Sequence, residues 1–325
     1  MEQMKNMNVK VADLIREYDN EFVPSKEYLA SMPDLQNGDF VGLPINFVGM
    51  AGIKRPMKIR ERSGGIQEVC ATIIGHVDND SNSRGINMSR INRELAVLDH
   101  EVFDMNALET ILRSYQKKLE RFEAGLSIEF EYRMWQPALR STNIEGQAEG
   151  GWIYIPVEFE LTIDKTGKVH KVMWVSYIYS STCPCSTELA THAALTRGRA
   201  ASPHAQRSIA KIGVEFEDMV WIEDVVSACK KAVATQVQIF VKRQDEQAFG
   251  ELCASKGTVF VEDAIRLFAN ELDKVERIKD YKIMCGHAES LHPWLAHAVL
   301  IKNVPGTKFT PTFTNAERRD LERYV

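Results

Sequence analysis

The sequence predicts an α+β fold with two tandem antiparallel units and helices on one face of the sheets. Apolar and β-branched runs follow one another across short turns, which is typical of hairpins. Such a pair of runs is followed by amphipathic helical segments and by further strands, and this order occurs twice along the chain. Hairpins outnumber strand–helix–strand alternations, so a doubly wound parallel sheet is disfavoured.

The first unit begins with two runs within residues 44–78, which break at Ser63-Gly64-Gly65 and predict a hairpin. Apolar residues then recur at helical spacing over 87–98 and 106–124, and Gly125 is predicted to end the second helix. Residues 126–135 alternate between apolar and polar types, which predicts a strand. The order is therefore two strands, two helices and a further strand.

The second unit opens with a long hairpin over residues 151–180, which turns at Lys165-Thr166-Gly167. Another strand is predicted after it, then two amphipathic helices, then two strands around a turn. These elements cover 206–217, 222–241, 261–275 and 277–304.

These elements divide the chain into four parts. An N-terminal arm is expected to hold a short amphipathic helix with a polar lead-in within residues 9–31, followed by a turn-rich segment. The four parts are the arm at 1–39, the first unit at 40–147, the second unit at 148–304 and a C-terminal tail at 305–325. Most of the residues that could carry chemistry lie in the second unit.

The composition is that of a globular protein. The chain has 325 residues, 44% hydrophobic and 26% charged residues and a formal net charge of −5. A general nucleic-acid binder would usually show a basic stripe, and this acidic balance argues against one. No apolar run of membrane-spanning length occurs near the N-terminus, so we expect no membrane anchor and a cytosolic location. A chain of this length buries a core without a stabilising metal, which leaves any metal free to be catalytic.

The segment Cys183-Pro184-Cys185 fits neither a structural zinc site nor a redox motif. Its two cysteines are closer than the usual zinc-finger pair, no second pair follows, and a Cys-x-x-Cys motif is missing. The remaining interpretation is that one thiolate is a metal ligand and that the other lies nearby. Taken alone, His204 would more often be a surface or core histidine, Glu246 a solvated helix end and Glu262 a helix N-terminal acid.

A second cluster lies near the C-terminus, where His287, Glu289 and His292 fall within six positions beside an apolar strand. Titratable residues at a strand end indicate a functional site more strongly than the same residues on a helix face, although an ordinary polar turn is the alternative. Neither a P-loop nor a G-x-G-x-x-G motif is present, so a Rossmann-type cofactor is unsupported.

Eight segments taken together resemble the type IB GTP cyclohydrolase I family, which has archaeal-type relatives in the same superfamily. In order, they are Met32-Pro33-Asp34-Leu35-Gln36, Gly52-Ile53-Lys54-Arg55-Pro56, Arg84-Gly85-Ile86-Asn87-Met88-Ser89-Arg90, Cys183-Pro184-Cys185-Ser186, His204-Ala205-Gln206-Arg207-Ser208, Lys242-Arg243-Gln244-Asp245-Glu246, Phe260-Val261-Glu262-Asp263 and Glu289-Ser290-Leu291-His292. The resemblance implies a tunnelling fold of two tandem ββααββ units, assembled as a homotetramer with active sites between subunits. It also implies the conversion of GTP and water to 7,8-dihydroneopterin triphosphate and formate, for folate and pterin synthesis or for 7-deazaguanine nucleosides such as queuosine.

The resemblance also implies roles for individual residues. The metal ligands fall on Cys183, His204 and Glu246, which would leave an open position for water on one divalent metal per site. Zinc is the metal expected for these ligands, with manganese and ferrous iron as alternatives.

The other implied roles concern substrate binding and proton transfer. Glu262 would anchor the guanine through its two adjacent N–H donors, which discriminates against adenine. His292, with Glu289 beside it, would transfer protons, and Cys185 would act beside the metal. The candidate triphosphate ligands are Arg90, Arg207, Lys242 and Arg243.

The sequence departs from the family pattern between Cys185 and His204. The interval is longer here, and the insert at 191–202 brings in His192 as a rival metal ligand. His204 is favoured because Gln206-Arg207-Ser208 follows it as the family motif requires. Asn87 and Gln244 also replace residues that are frequent in the family, near the presumed substrate pocket.

Three alternatives to the type IB activity remain. The archaeal-type enzymes use ferrous iron and release a cyclic phosphate of dihydroneopterin. The nitrile reductases of the same fold use a cysteine nucleophile and NADPH without a metal, and the set Cys183, His204 and Glu246 argues against them. A non-catalytic metal-stabilised binding protein is disfavoured because it would need neither Glu262 nor His292.

Overall fold

The computed structural model describes residues 16–33 and 40–325 of the chain. Its first half contains five strands, three helices and a short 3₁₀ helix at Leu95–Asp99. In chain order these strands and helices are α1 (Lys26–Ser31), β1 (Ile45–Arg60), β2 (Ile66–Asn79), α2 (Met88–Glu94), β3 (Val102–Phe103), α3 (Met105–Leu119), β4 (Ala124–Thr142) and β5 (Ala148–Ile163).

The second half continues the same sheet with four more strands. Its elements are β6 (Val169–Thr182), α4 (Pro184–Arg197), β7 (Ala205–Phe216), α5 (Ile222–Ala232), α6 (Arg243–Lys256), α7 (Val261–Leu272), β8 (Ile278–Glu289), β9 (Ala296–Ile301) and α8 (Asn315–Glu322). Among the described residues, none of the helices is both long and apolar enough to span a membrane.

The strands form one sheet in the order β3-β1-β2-β4-β5-β6-β7-β8-β9. The strand pairs are antiparallel except for the short pairing of β1 with β3. Tight turns join β1 to β2 and β5 to β6, as the hairpin signals at 63–65 and 165–167 predict. The predicted α+β class with an antiparallel sheet is therefore confirmed.

The main core lies between one face of this sheet and helices α3, α5 and α7. Alternate residues of each strand point to that face, as in β4, where Ile128, Phe130 and Tyr132 are buried. Phe268 of α7 is fully buried and packs edge-on against Tyr177 of β6. Tyr177 in turn stacks on Tyr179, two residues later in the same strand. Burial of these large apolar side chains supplies most of the energy that holds the helices on the sheet.

The opposite face of the sheet is partly covered by the C-terminal tail. Leu321 of α8 is buried against Ile209 and Met284, which point away from the main core. Lys211 pairs with Asp320 and Lys282 pairs with Glu317, so ion pairs surround this smaller apolar cluster. The C-terminal tail thus packs on β7 and β8 on the face of the sheet opposite the main core.

The predicted division at 147/148 lies in the turn between β4 and β5. Strand β5 pairs with β4 on one side and with β6 on the other, so the sheet runs through both units without a break. The boundaries at 39/40, 147/148 and 304/305 stay predictions, since strand pairing gives no interruption that would test them.

The prediction that Gly125 ends the second helix is wrong. Helix α3 ends at Leu119, and Glu120 adopts the left-handed conformation that closes it, with φ of 55°. Gly125 lies instead in β4 opposite His76, where a Cβ would approach the imidazole Nε2 to 2.4 Å. The glycine is needed for close approach between strands and not for a helix stop.

The predicted helix over 222–241 is also too long. Helix α5 ends at Ala232, because the β-branched residues that follow are extended and bond to the edge of β6. The N–H of Ser180 donates to the Thr235 carbonyl at 2.8 Å, and the N–H of Val237 donates to the Ile178 carbonyl at 3.2 Å. Tertiary pairing with β6 outweighs helical spacing here.

Two further helices lie outside the predicted elements. Helix α4 contains most of the insert before His204 and ends at Gly198, whose left-handed conformation caps it. Helix α6 carries Glu246 in its first turn. At the N-terminus, Ser25 caps α1 within the predicted 9–31 segment, whose residues 9–15 lie outside the described part.

Candidate active site

Three neighbouring strands end at the same edge of the sheet and bring the candidate residues together. Thr182, the last residue of β6, pairs with Ala205, the first of β7, and Gln206 pairs with Glu289, the last of β8. Cys183 and His204 therefore follow and precede paired residues, and the Cys183 N–H donates to the His204 carbonyl at 3.3 Å. Residues that are far apart in the sequence meet at this edge.

Cys183 and Cys185 differ in their surroundings. Cys183 is the N-cap residue of α4 and is half-buried, and Pro184 begins the helix behind it. Cys185 is exposed one position later. The two thiols therefore differ in their access to solvent.

The His204 ring is half-buried and its Nδ1 atom is fully buried. The backbone N–H of His204 takes no part in the strand pairing. It donates instead to the Ser186 hydroxyl at 3.0 Å, which fixes the residue against α4. Within the described residues, Nδ1 has no hydrogen-bond partner. A buried ring nitrogen without a partner is unusual in a folded protein and fits a ligand position.

Asp245 fixes the start of α6 against β4 and so positions Glu246. Its carboxylate accepts hydrogen bonds from the backbone N–H groups of Arg140, Ser141 and Lys242 at 2.8–2.9 Å, and from the Ser141 hydroxyl. Burial alone would raise the pKa of Asp245, but these donors outweigh it and hold the pKa well below its usual range. Glu246, one residue later, is exposed.

Glu246 lines a cavity of about 460 Å³ beside the strand ends. The wall is formed by β6, β7, α6 and the segment that follows α5. It includes Gln206, Arg207, Gln238 and Phe249. A carboxylate, a guanidinium and two amides thus share an apolar wall. This composition is typical of a pocket that orients a polar small molecule.

The N-terminus of α7 lies beside the same edge. Thr182 N–H donates to the Gly257 carbonyl at 2.8 Å, and Thr182 forms a bridge with Thr258, just before the helix. Glu262 stands exposed in the first turn of α7. Thr182, which precedes Cys183, thus bonds directly to the segment that leads into α7, the helix that carries Glu262.

Glu289 and His292 lie at the turn after β8. The His292 Nε2 atom is 3.9 Å from Glu289 Oε2, and the His292 N–H donates to the Glu289 carbonyl at 3.2 Å. The imidazole stacks on Trp294, with 5.0 Å between ring centroids, and its side chain remains 40% exposed. An imidazole beside a carboxylate and open to solvent can transfer protons.

The four candidate phosphate ligands do not lie together. Arg207 lines the cavity, and Lys242 and Arg243 stand at the start of α6, where Lys242 pairs with Glu149. Arg90 lies on α2, and its guanidinium donates to the Lys118 carbonyl near the end of α3. Arg90 is not part of the wall of this cavity.

The structure places Cys183 and His204 at one edge of the sheet, but the three predicted metal ligands do not converge on one point. Across residues 16–33 and 40–325, no three His, Cys, Asp or Glu side chains lie close enough to hold a metal ion. A backbone hydrogen bond joins Cys183 to His204, whereas Glu246 lies on α6 in the wall of the cavity. The rival His192 is exposed on α4.

A buried polar network behind the cavity was not assigned a role from the sequence. His287 is 1% exposed, and its Nε2 lies 2.8 Å from the Tyr179 hydroxyl while Nδ1 lies 3.3 Å from the Ser181 hydroxyl. Burial lowers the pKa of His287 to about 4, so the ring is neutral at pH 7. Ser181 also contacts Ser208 and Gln206. The alternation of β6, β7 and β8, which places these residues on one face, was the available signal.

Comparison with known proteins identifies the family. Residues 32–298 match the model of the type I GTP cyclohydrolase folE2 family. The GTP cyclohydrolase FolE2 of Paracoccus denitrificans is 42% identical over 293 residues, which cover 88% of this chain and 89% of that protein. The GTP cyclohydrolase FolE2 of Roseobacter denitrificans is 40% identical over 302 residues, which cover 90% of this chain and 80% of that protein.

Among solved structures, the uricase from Arthrobacter globiformis matches with a TM-score of 0.50 and 8% identity, covering 82% of this chain and 96% of that one. At this identity the likeness shows the fold alone, and it confirms the predicted tunnelling fold. The matched family segment contains every candidate site residue named above. This chain therefore belongs to the type I GTP cyclohydrolase folE2 family, as its resemblance to the type IB enzymes predicts.

Proposed function

We propose that this protein converts GTP and water to 7,8-dihydroneopterin triphosphate and formate at the shared end of β6, β7 and β8. The observation that carries the proposal is the meeting of Cys183, His204 and Glu289 at paired strand ends, beside the cavity lined by Glu246. The family relationship supplies the reaction class. The shared strand ends support the proposal because Cys183, His204 and Glu289 lie at or next to paired residues there.

One divalent metal, with zinc as the first choice and manganese or ferrous iron as alternatives, fits the donors at this edge. The unpartnered, buried Nδ1 of His204 and the half-buried Cys183 thiol are nitrogen and sulfur donors, and Glu246 adds a carboxylate. When bound, such a metal lowers the pKa of water so that it attacks at neutral pH. Movement of α6 or assembly of subunits would bring Glu246 to the other two residues.

We infer a homotetramer with active sites between subunits. Cys185, Glu246, Glu262 and His292 are all exposed in the single chain, as expected for a site that a second subunit covers. Arg90, which lies outside the cavity wall, would contact the substrate from a neighbouring subunit. The half-buried thiol of Cys183 and the exposed thiol of Cys185 need a reducing compartment, which is consistent with a cytosolic enzyme.

The remaining residues have roles that follow from their chemistry. Glu262 accepts hydrogen bonds from guanine N1–H and the 2-amino group, while Arg207, Lys242 and Arg243 neutralise the triphosphate. His292 moves protons, oriented by Glu289, and Cys185 stays beside the reacting base.

The reaction balances with one water overall. A first water adds to C8 of the guanine, and the C8–N9 bond breaks to open the imidazole ring. A second water releases C8 as formate and leaves an amine on the pyrimidine. This amine condenses with a carbonyl formed from the opened ribose, which returns one water and closes the dihydropterin ring. The product serves folate and pterin synthesis or 7-deazaguanine nucleosides such as queuosine.

The proposal is tested by incubating the purified protein with GTP and, separately, zinc, manganese or ferrous iron under anaerobic conditions. We expect formate, and a fluorescent neopterin after oxidation, with at least one metal. Mass spectrometry separates the linear triphosphate from a cyclic phosphate. Cys183→Ala should lose metal and activity, whereas Cys70→Ala, an exposed thiol on β2, should lose neither. No product with any metal, together with full metal content in Cys183→Ala, contradicts the proposal.

A further inference from the structure

Gln206 has a buried oxygen that the fold leaves without a partner. The side chain is 6% exposed and lines the cavity together with Glu246. Its Nε2 donates to the Ser181 hydroxyl at 2.9 Å and lies 3.5 Å from His287 Nδ1. Among the described residues, Oε1 is buried and accepts no hydrogen bond. A buried acceptor left unpaired costs stability, so the native site is expected to supply a donor.

The network behind Gln206 determines which end of the amide faces the cavity. If the Tyr179 hydroxyl donates to His287 Nε2, the proton on Nδ1 is donated to Ser181. Ser181 then accepts from both His287 and Gln206 and donates its own proton to Ser208 at 2.8 Å. A reversed amide would set Oε1 against the Ser181 oxygen, whose proton is already committed. In this arrangement the network holds the amide nitrogen inward, and Oε1 stays buried and unpaired in a residue that lines the cavity.

The donor that Oε1 receives is constrained by its position near His204. The two residues are two apart in an extended chain, so their side chains leave the same face, roughly 6.6 Å apart along the strand. Both carry a buried polar atom without a partner in the described part of the chain. The donors of guanine, N1–H and the 2-amino group, lie at the opposite end from C8. The C8 end of the guanine base carries no N–H donor, so the donor expected beside His204 is a water.

We propose that Gln206 Oε1 accepts a hydrogen bond from the water that attacks C8 and thereby aims the water's lone pair at the ring. This inference rests on the proposed function. As the C8–O bond forms, the C8=N7 π pair moves to N7. The water loses a proton to His292, and His292 passes that proton on to N7, so the addition consumes one water and leaves His292 as it began. Gln206 gains no proton, because an amide oxygen is a weak base. It is a positioning residue, and its effect is expected on kcat and not on substrate affinity.

Gln206→Met tests this, because methionine keeps the length of the side chain and removes the acceptor. We expect kcat to fall about 10- to 100-fold, with KM for GTP within about threefold and metal content unchanged. Gln206→Glu, which keeps an oxygen, should recover part of kcat. An unchanged kcat overturns the inference. A parallel loss of metal also overturns it, since Gln206 would then support metal binding.

Gln67→Met is the matched control. Gln67 is 2% exposed, but both ends of its amide are paired with the backbone of Arg133, at 3.1 and 3.3 Å. It should lower the melting temperature and leave kcat unchanged, which separates loss of fold from loss of positioning. If both variants lower kcat in proportion to their melting temperatures, Gln206 is structural and the inference fails. If the wild-type protein forms no formate from GTP with any metal, the proposed function has failed instead.

Discussion

The carboxylate of Asp245 on α6 accepts hydrogen bonds from both the backbone N–H and the hydroxyl of Ser141 on β4. This contact joins residues that are 104 positions apart and fixes the helix turn that carries Glu246. A candidate metal ligand on an exposed helix face thus has a buried anchor directly beside it. Such supporting contacts decide how precisely a ligand is held.

Asp245→Asn should weaken this anchor in a pH-dependent way. The pKa of Asp245 is lowered in the folded protein, so its contribution to stability is present above the unfolded pKa of about 3.9 and is lost as pH falls. We expect the variant to melt several degrees lower at pH 7 and to bind metal more weakly. The difference from wild type should shrink towards pH 3, which melting curves at several pH values would show. A constant difference would mean that charge plays no part.

His287 should make the protein sensitive to mild acid. Its pKa is lowered to about 4 by burial, against an unfolded value of about 6.5, so the unfolded state binds the extra proton between these values. Stability should therefore fall as pH drops from 6.5 to 4, by roughly 3 kcal/mol for this group. Urea unfolding of wild type and His287→Asn at pH 7.5 and pH 4 measures it. Equal acid sensitivity in both proteins would exclude His287 as the cause.

Histidines 204 and 192 should differ in metal binding. His204 has a buried ring nitrogen without a partner in the described residues, whereas His192 is exposed on α4. We expect His204→Ala to lose metal about 10-fold or more, and His192→Ala to bind as wild type does. Metal content after dialysis against a chelator gives the comparison. Loss of metal in His192→Ala alone would reverse the assignment.

Glu262→Gln should reduce selection for the 2-amino group of guanine. The wild-type protein should favour GTP over ITP, which lacks that group, because the carboxylate receives two adjacent donors. The variant should lose about 10²-fold or more in kcat/KM for GTP and discriminate less between the two nucleotides. Steady-state kinetics with both substrates checks this. Glu262 would have no role in base recognition if the GTP to ITP ratio were unchanged.

Phe268→Ala should destabilise the helix layer that packs behind the cavity. The ring is fully buried and packs edge-on against Tyr177 and Tyr179. Loss of this side chain from a packed core costs about 3–5 kcal/mol, and Phe268→Leu should cost less because more of the cavity stays filled. Denaturant titration of both variants gives the order. Equal stability of the two would show that the site collapses around the gap.

Periodicity predicted much of the fold because local sequence and global pairing agree there. The hairpins around 63–65 and 165–167 and the apolar stripe of α3 are examples. The errors occurred where tertiary contacts compete with local preference. Residues 233–241 have helical spacing, yet backbone groups of this segment bond to the edge of β6. Gly125 lies in β4 and allows β2 to approach closely, and it does not end a helix.

The sequence by itself determined the family, the antiparallel α+β class and the types of residue at the site, because these are carried by short motifs and by hydrophobic spacing. Only the tertiary structure decided which residues meet. Strand register places Cys183 beside His204 and Gln206 beside Glu289, and a one-residue slip would turn all four to other positions. The buried network of Tyr179, Ser181 and His287 also depends on register, since its hydrogen bonds join strands far apart in the chain. The same register leaves the Gln206 oxygen buried and, among the described residues, without a hydrogen-bond partner.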